Sequence, residues 1–225
     1  MPSKPARKFT ALNNRLFDYL CDCSRCNEDK ILAELRRETA RLGEVSVMQI
    51  GPDQGAFMTL LTRAIGARSA IEVGSFTGYS SICLARGLPE TGKLHCLDAS
   101  AEWTAIARKY WKRAKLDHKI ELRLGPAIES LKRLPASRMF DIAFIDALKT
   151  EYADYYRLVL PHIRPNGLIL FDNMFAGGGV GRKSNASANA RALDQLNRLL
   201  ARDPRVEPVL LSIGDGLSLC RVRGR

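Results

Sequence analysis

No run of about 18 apolar residues occurs in this chain, so no membrane-spanning helix is expected. The basic start Met1-Pro2-Ser3-Lys4-Pro5-Ala6-Arg7-Lys8 is followed by no apolar stretch, so no secretory signal is expected either. Internal repeats and low-complexity tracts are lacking. The six cysteines show no disulfide framework and read as thiols of a cytoplasmic protein. Three of them, in Cys21-Asp22-Cys23-Ser24-Arg25-Cys26, lack an obvious fourth ligand, and His95, His118 and His162 are distant in sequence. That argues against zinc and for a helix end with free thiols. Cys83, Cys96 and Cys220 sit in apolar patterns and read as core.

At 225 residues, with 46% hydrophobic content, the chain reads as one domain with a substantial core. The formal net charge of +11 attracts anions: nucleic acid, an anionic membrane or a phosphorylated substrate. The basic residues are scattered, however. Arg36, Arg37 and Arg41 fall on one helix, Lys109, Lys112, Arg113 and Lys115 on another, and Arg221, Arg223 and Arg225 in a tail. No RNA-binding pattern of interleaved aromatics accompanies them, and a solvated basic surface is the simpler reading.

Residues 11–43 show helix-compatible spacing of Leu16, Leu20, Ile31, Leu32, Leu35 and Leu42, broken near Cys21–Asn27. Gly51-Pro52-Asp53 opens a helix that ends near Gly66, with Phe57, Leu60, Leu61 and Ile65 as its apolar face. Strands and helices then alternate. The strand candidates are Ala70–Val73, Lys93–Leu97, Lys119–Leu124, Phe140–Ile145 and Leu168–Phe171. Helical stretches lie between them, around Tyr79–Arg86, Ala101–Ala114, Ala127–Leu134 and Tyr152–Leu160. Such a series builds a doubly wound, mostly parallel α/β sheet. A helix near Ala188–Ala201 and two strands, Val206–Leu211 and Leu217–Val222, joined through Ile213-Gly214-Asp215-Gly216, add an antiparallel C-terminal hairpin. The Gly-, Ser- and Asn-rich stretch Met174–Ser187 is expected to be a mobile loop beside the sheet edge.

The most informative stretch is Ala70-Ile71-Glu72-Val73-Gly74-Ser75-Phe76-Thr77-Gly78-Tyr79-Ser80, an apolar strand running through a glycine turn into a helix. Backbone there approaches a ligand at the carboxyl edge of the sheet. The spacing is not G-x-G-x-x-G, so a dinucleotide is not the natural guest. Glu72 before the first glycine suits an ammonium group. The hydroxyls and amides of Ser75–Ser80, with Ser75, Tyr79 and Ser80 as candidates, suit a carboxylate. S-adenosylmethionine carries both. Asp98 ends the second strand about 20 residues on, placed for ribose hydroxyls. Gly125-Pro126-Ala127 leaves room for a flat ring. Asp146 follows the fourth strand and Asp172-Asn173 the fifth, at the same edge. Each alone is common turn chemistry. Converging, they offer a hard oxygen site for a divalent cation. Lys149 nearby is a cation able to orient or deprotonate a hydroxyl.

From about Leu12 to Val222 the chain resembles the cation-dependent class I O-methyltransferases of the caffeoyl-CoA and catechol type. The resemblance rests on Met48-Gln49-Ile50-Gly51-Pro52-Asp53-Gln54-Gly55, on Glu72 to Ser80, and on Gly125-Pro126-Ala127, Asp146-x-x-Lys149, Asp172-Asn173 and Gly214-Asp215-Gly216. It implies a seven-stranded Rossmann-like core over residues 48–225 behind an N-terminal helical segment, 1–47. It implies that Met48 and Ile50 border the cofactor and that Glu72, Gly74 and Ser80 hold its methionine part. Asp98 takes the ribose and Ala127 borders adenine. Asp146, Asp172 and Asn173 ligate the metal, Mg²⁺ or else Ca²⁺ or Mn²⁺, with Asp146 also near the methionine part. Lys149 is the catalytic lysine, and the acceptor is a small phenol with neighbouring hydroxyls. A homodimer is implied as well. Two departures stand out. Leu148 occupies a place where the family often has a second aspartate, and Met174-Phe175-Ala176 replaces a frequent aromatic. Two alternatives remain. A tRNA hydroxyuridine O-methyltransferase of the same fold is favoured by charge but not by its distribution. A non-catalytic cofactor-binding module is disfavoured by Lys149 and the three ligand positions.

Overall fold

The computed structural model describes residues 10–24, 28–182, 184 and 186–224. Helices α1 (Asn14–Ser24) and α2 (Lys30–Ala40) precede a short 3-10 turn, Gly43–Met48, and α3 (Pro52–Ala64). Five strands then alternate with helices: β1 (Ser69–Val73), α4 (Tyr79–Gly87), β2 (Lys93–Asp98), α5 (Ala101–Arg113), β3 (Ile120–Leu124), α6 (Ala127–Lys132), β4 (Phe140–Ile145), α7 (Tyr152–Val159) and β5 (Ile163–Phe171). The chain closes with α8 (Ala188–Leu200), β6 (Val206–Leu211) and β7 (Leu217–Val222). The sheet order is β3-β2-β1-β4-β5-β7-β6, parallel except for β7, which runs antiparallel to both of its neighbours.

The central strands read as continuous apolar runs because both faces are covered. Along β4, Ile142 and Phe144 face the layer of α2 to α5, while Phe140, Ala143 and Ile145 face that of α6 to α8. β5 alternates the same way, Leu168 and Leu170 against Ile169 and Phe171. The strand order reverses between β1 and β4, and the crevice outside their carboxyl ends is where this architecture binds ligands. Backbone hydrogen bonds carry the ladder past the strand ends. Gly74 N–H donates to Leu97 O at 2.8 Å, Asp146 N–H to Val73 O at 2.9 Å and Asp172 N–H to Ile145 O at 3.1 Å.

Four expectations change. β5 begins five residues earlier than the apolar run suggests, at Ile163, because Asn166 turns out at φ 63° and the register shifts from Phe140↔Ile163 to Ile142↔Leu168. α3 packs on α4 through Gly55, Met58 and Thr62 rather than through Leu60, which is 65% exposed. A Cβ on Gly55 would sit 2.8 Å from Cys83 Sγ, so the absence of a side chain sets the helix approach. Leu32 and Leu35 are buried in the chain's own core, so less apolar surface is left on α2 for a partner. Met174–Ser187 is tied down at its start. Met174 is buried, its N–H donates to Gly216 O and Phe175 N–H to Asp215 O, both at 2.8 Å.

The N-terminal segment is pinned to the glycine turn. Thr39 Oγ1 donates to Thr77 Oγ1 at 2.8 Å, and Gln49 Nε2 donates to both hydroxyls. Arg36 lies over the Tyr79 ring, 4.5 Å from its centroid, and donates to Glu28 and to Ile50 O. Cys83, Cys96 and Cys220 are buried, as expected, and Cys26 lies outside the described residues. Among the described residues no helix is long and apolar enough to cross a membrane.

Candidate active site

Gly74 and Gly78 both adopt φ near +88°, a left-handed conformation that favours glycine. A Cβ on Gly74 would lie 2.0 Å from Asp146 O, across the point where the strand order reverses. A Cβ on Gly78 would meet Trp111 Nε1 at 2.6 Å. The turn is buttressed from two sides. Asp98 accepts the backbone N–H groups of Ser75 at 2.8 Å and Phe76 at 2.9 Å, and its other oxygen accepts Ser100 N–H at 2.8 Å. Glu72 is wholly buried beneath the turn, where Ser75, Ser81 and Cys96 donate to its Oε2 and Oε1 has no partner. Burial pushes its carboxyl above the usual glutamate range, and the surrounding hydroxyls pull it part of the way back.

At the ends of β4 and β5 a second cluster forms. Lys149, opening the 3-10 turn Lys149–Glu151, donates to Asp146 Oδ1 at 2.5 Å and to Tyr152 Oη at 2.9 Å. Tyr152 is buried, and burial with the charges of Asp146 and Asp172 holds its phenol well above its ordinary value. It therefore stays neutral and serves as a fixed acceptor for the lysine. Asp172 is 3% exposed, and burial and then the neighbouring Asp146 push its carboxyl up to about 7. Asn173 takes a left-handed φ of 59° and donates its N–H to Asp172 Oδ1 at 2.7 Å. Gln54, buried on α3, lies beside Asp172, and its Nε2 has no partner. Two neighbouring carboxylates, with Asp146 helping to raise the pKa of Asp172 and an amide oxygen alongside, form a donor set that fits a hard divalent cation. Among the described residues no group of three or more His, Cys, Asp or Glu gathers, and the set here is two carboxylates and one amide.

These clusters share one cavity of about 880 Å³. Of the residues singled out from sequence, Met48, Ile50, Gly74, Ser75, Tyr79 and Ser80 line it, as do Asp98, Ala127, Asp146, Lys149 and Asn173. Glu72 and Asp172 stand behind its wall. The Tyr79 hydroxyl turns the other way and donates to Glu28 at 3.0 Å. Sequence reasoning missed Trp103, Glu151, Tyr155 and Asn189, which also line the cavity. Trp103 sits in the first turn of the helix after Asp98 and packs edge-on to Phe76 at 5.0 Å, so its position along the chain was a usable signal. Asn189 arrives from α8, and only tertiary packing brings it here.

The reversed strand order, the glycine turn and the antiparallel β7 together define a doubly wound α/β protein of the class I methyltransferase type. The O-methyltransferase family model matches residues 22–223. Tapetum-specific methyltransferase 1 of Arabidopsis thaliana is 35% identical over 98% of this chain and 97% of its own length. Caffeoyl-CoA O-methyltransferase 2 of Petunia hybrida is 33% identical over 93% of this chain and 90% of its own. The crystal structure of an O-methyltransferase from Bacillus cereus in complex with S-adenosylhomocysteine superposes with a TM-score of 0.84 at 31% identity, covering 93% of this chain and 97% of that one. The chain belongs to the O-methyltransferase family, and its activity is S-adenosylmethionine-dependent O-methyl transfer.

Proposed function

We propose that this protein methylates one of two neighbouring phenolic hydroxyls on a small acceptor and that a divalent cation, Mg²⁺ by preference, is held by Asp146, Asp172 and Asn173. The observation that carries this reading is the buried Asp172 beside an Asp146 that also accepts Lys149 at 2.5 Å. Such a cation supplies Lewis acidity, lowering the pKa of a hydroxyl placed on it. S-adenosylmethionine supplies a sulfonium methyl group, which passes to the acceptor oxygen as the carbon–sulfur bond breaks. Met48, Ile50, Gly74, Ser75, Tyr79, Ser80, Asp98, Ala127 and Asp146 form the cofactor's walls, and Glu72 anchors the turn from beneath.

Lys149 is the residue placed to take the hydroxyl proton, which it does as the neutral amine after its own proton has passed to water. Asp146 and Tyr152 fix its amino group on two sides, so its position is set before an acceptor arrives. The apolar wall of Leu97, Trp103, Leu148 and Leu193 limits water at the site, which favours a step that neutralises charge. Residues 1–47 and 48–225 act as one domain, supported by the Thr39–Thr77 and Gln49–Thr39 hydrogen bonds between them. Buried unpaired thiols at Cys83, Cys96 and Cys220 support a cytoplasmic setting. Exposed Tyr19, Val47 and Leu60 support a homodimer. The deciding experiment is a methyl-transfer screen over catechols, hydroxycinnamates, their CoA esters and total tRNA, with and without divalent metal. Turnover confined to tRNA contradicts the reading.

A further inference from the structure

The chain is strongly basic, yet its cavity is acidic. Among the described residues, the lining carries four carboxylates, Asp98, Asp146, Glu151 and Asp215, against one ammonium, Lys149. Three of the four are held by a cation or by backbone N–H groups. Asp98 accepts the N–H groups of Ser75, Phe76 and Ser100. Asp146 is paired with Lys149. Asp215 accepts Gly177 N–H at 2.9 Å on both oxygens. Glu151 differs in the kind of partner it has: its Oε2 accepts the hydroxyl of Tyr155 at 2.5 Å, and among the described residues it has no cationic partner and no donor on Oε1. Glu151 stands on the same 3-10 turn as Lys149, two residues on, facing α8. Tyr155, one helical turn further, is 3% exposed and fixes the carboxylate against the wall.

We propose that Glu151 sets the charge selectivity of the acceptor site, favouring phenols that carry a cationic substituent and disfavouring those with an anionic one. The proposal rests on the reading that a vicinal diphenol is held against Lys149. A ring placed there directs its substituent along the turn, toward Glu151, the one lining carboxylate with neither a cationic nor a backbone partner among the described residues. An ammonium group meets an acceptor already oriented by Tyr155. A carboxylate meets a fixed like charge in a partly desolvated wall, where repulsion is screened less than in water. The net charge of the chain lies on the outside, where Arg36, Lys109 and Arg113 pair with Glu28, Glu38 and Glu34, and it does not reach this wall.

The test uses three catechols that differ in one ring substituent: aminoethyl, methyl and carboxymethyl. kcat and KM for each are measured in the wild type, E151Q and E151K. The wild type is expected to prefer the aminoethyl over the carboxymethyl compound by roughly tenfold in kcat/KM, a modest ion-pair effect. E151Q should erase most of that preference through KM rather than kcat, and E151K should invert it. A merely structural role for Glu151 would instead lower kcat on all three acceptors together. An amine-to-acid ratio that is the same in the wild type and E151Q, with methylcatechol turned over, overturns the charge-selectivity proposal alone. No turnover of methylcatechol by the wild type overturns the vicinal-diphenol reading and this proposal with it.

Discussion

Lys149 Nζ and Asp146 Oδ1 are 2.5 Å apart at the carboxyl end of β4, where Asp146 also faces Gly74 across the reversal in strand order. One residue therefore links the proposed base and the proposed cation site, through its carboxylate, to the cofactor turn, through its backbone. That economy of position explains why the chemistry sits at this strand end and not at another.

Lys149→Ala should reduce turnover by roughly a hundredfold or more, the lower range for a lost acid–base group. S-adenosylmethionine binding should stay nearly intact, because the lysine contacts Asp146 and Tyr152 rather than the glycine turn. Single-turnover kinetics alongside calorimetric titration separates the two. Unchanged turnover would leave the proton to another group.

Gly74→Ala should destabilise the fold by at least about 2 kcal/mol, since a left-handed φ of 87° and backbone contact with Asp146 O combine. The midpoint of urea denaturation reads this directly. A wild-type midpoint would show that the turn relaxes away from Asp146.

The course of the chain was largely legible. The apolar runs marked β1 and β4 nearly to the residue, because strands buried on both faces leave no ambiguity about their length. β5 was misread at its start, since Pro165, Asn166 and Gly167 read as a turn while the strand tolerates them as an irregularity opposite Asp141. The site was legible where function follows strand ends: Asp98, Asp146, Lys149 and Asn173 all reach one cavity. Glu151 and Tyr155 were not. A Glu and a Tyr four apart on a helix look like surface and core, and only the packing of α8 on their turn makes them a wall. Nor does sequence spacing show that Asp98 spends its oxygens on the turn's own amides.

Asp98→Ala should weaken S-adenosylmethionine binding by about 1–3 kcal/mol, the scale of lost hydrogen bonds to a charged group. The account assigns Asp98 two tasks, the ribose and the Ser75 and Phe76 amides, so thermal stability should fall as well. An unchanged dissociation constant in calorimetry would remove Asp98 from the cofactor site.

Asp203 gives a pH prediction far from the active centre. Hydrogen bonds from the Arg205 side chain, and also from Arg205 N–H and the Tyr156 hydroxyl, hold its carboxyl well below the ordinary aspartate value. A depressed native pKa contributes stability that is present above the unfolded value, about 3.9, and is lost as pH falls through the native one. Asp203→Asn should therefore lower stability at pH 7 and flatten its decline below about pH 4. Urea denaturation of both proteins across that range checks the sign. Parallel curves would contradict it.

The account's central claim is cation-assisted O-methylation at Asp146, Asp172 and Asn173. Its most direct test is methyl transfer to a catechol by enzyme stripped with a chelator and verified as metal-free. The account predicts that activity falls to background and returns on adding Mg²⁺, with Asp172→Ala failing to recover. Full activity of the verified metal-free enzyme on the same acceptor would contradict it.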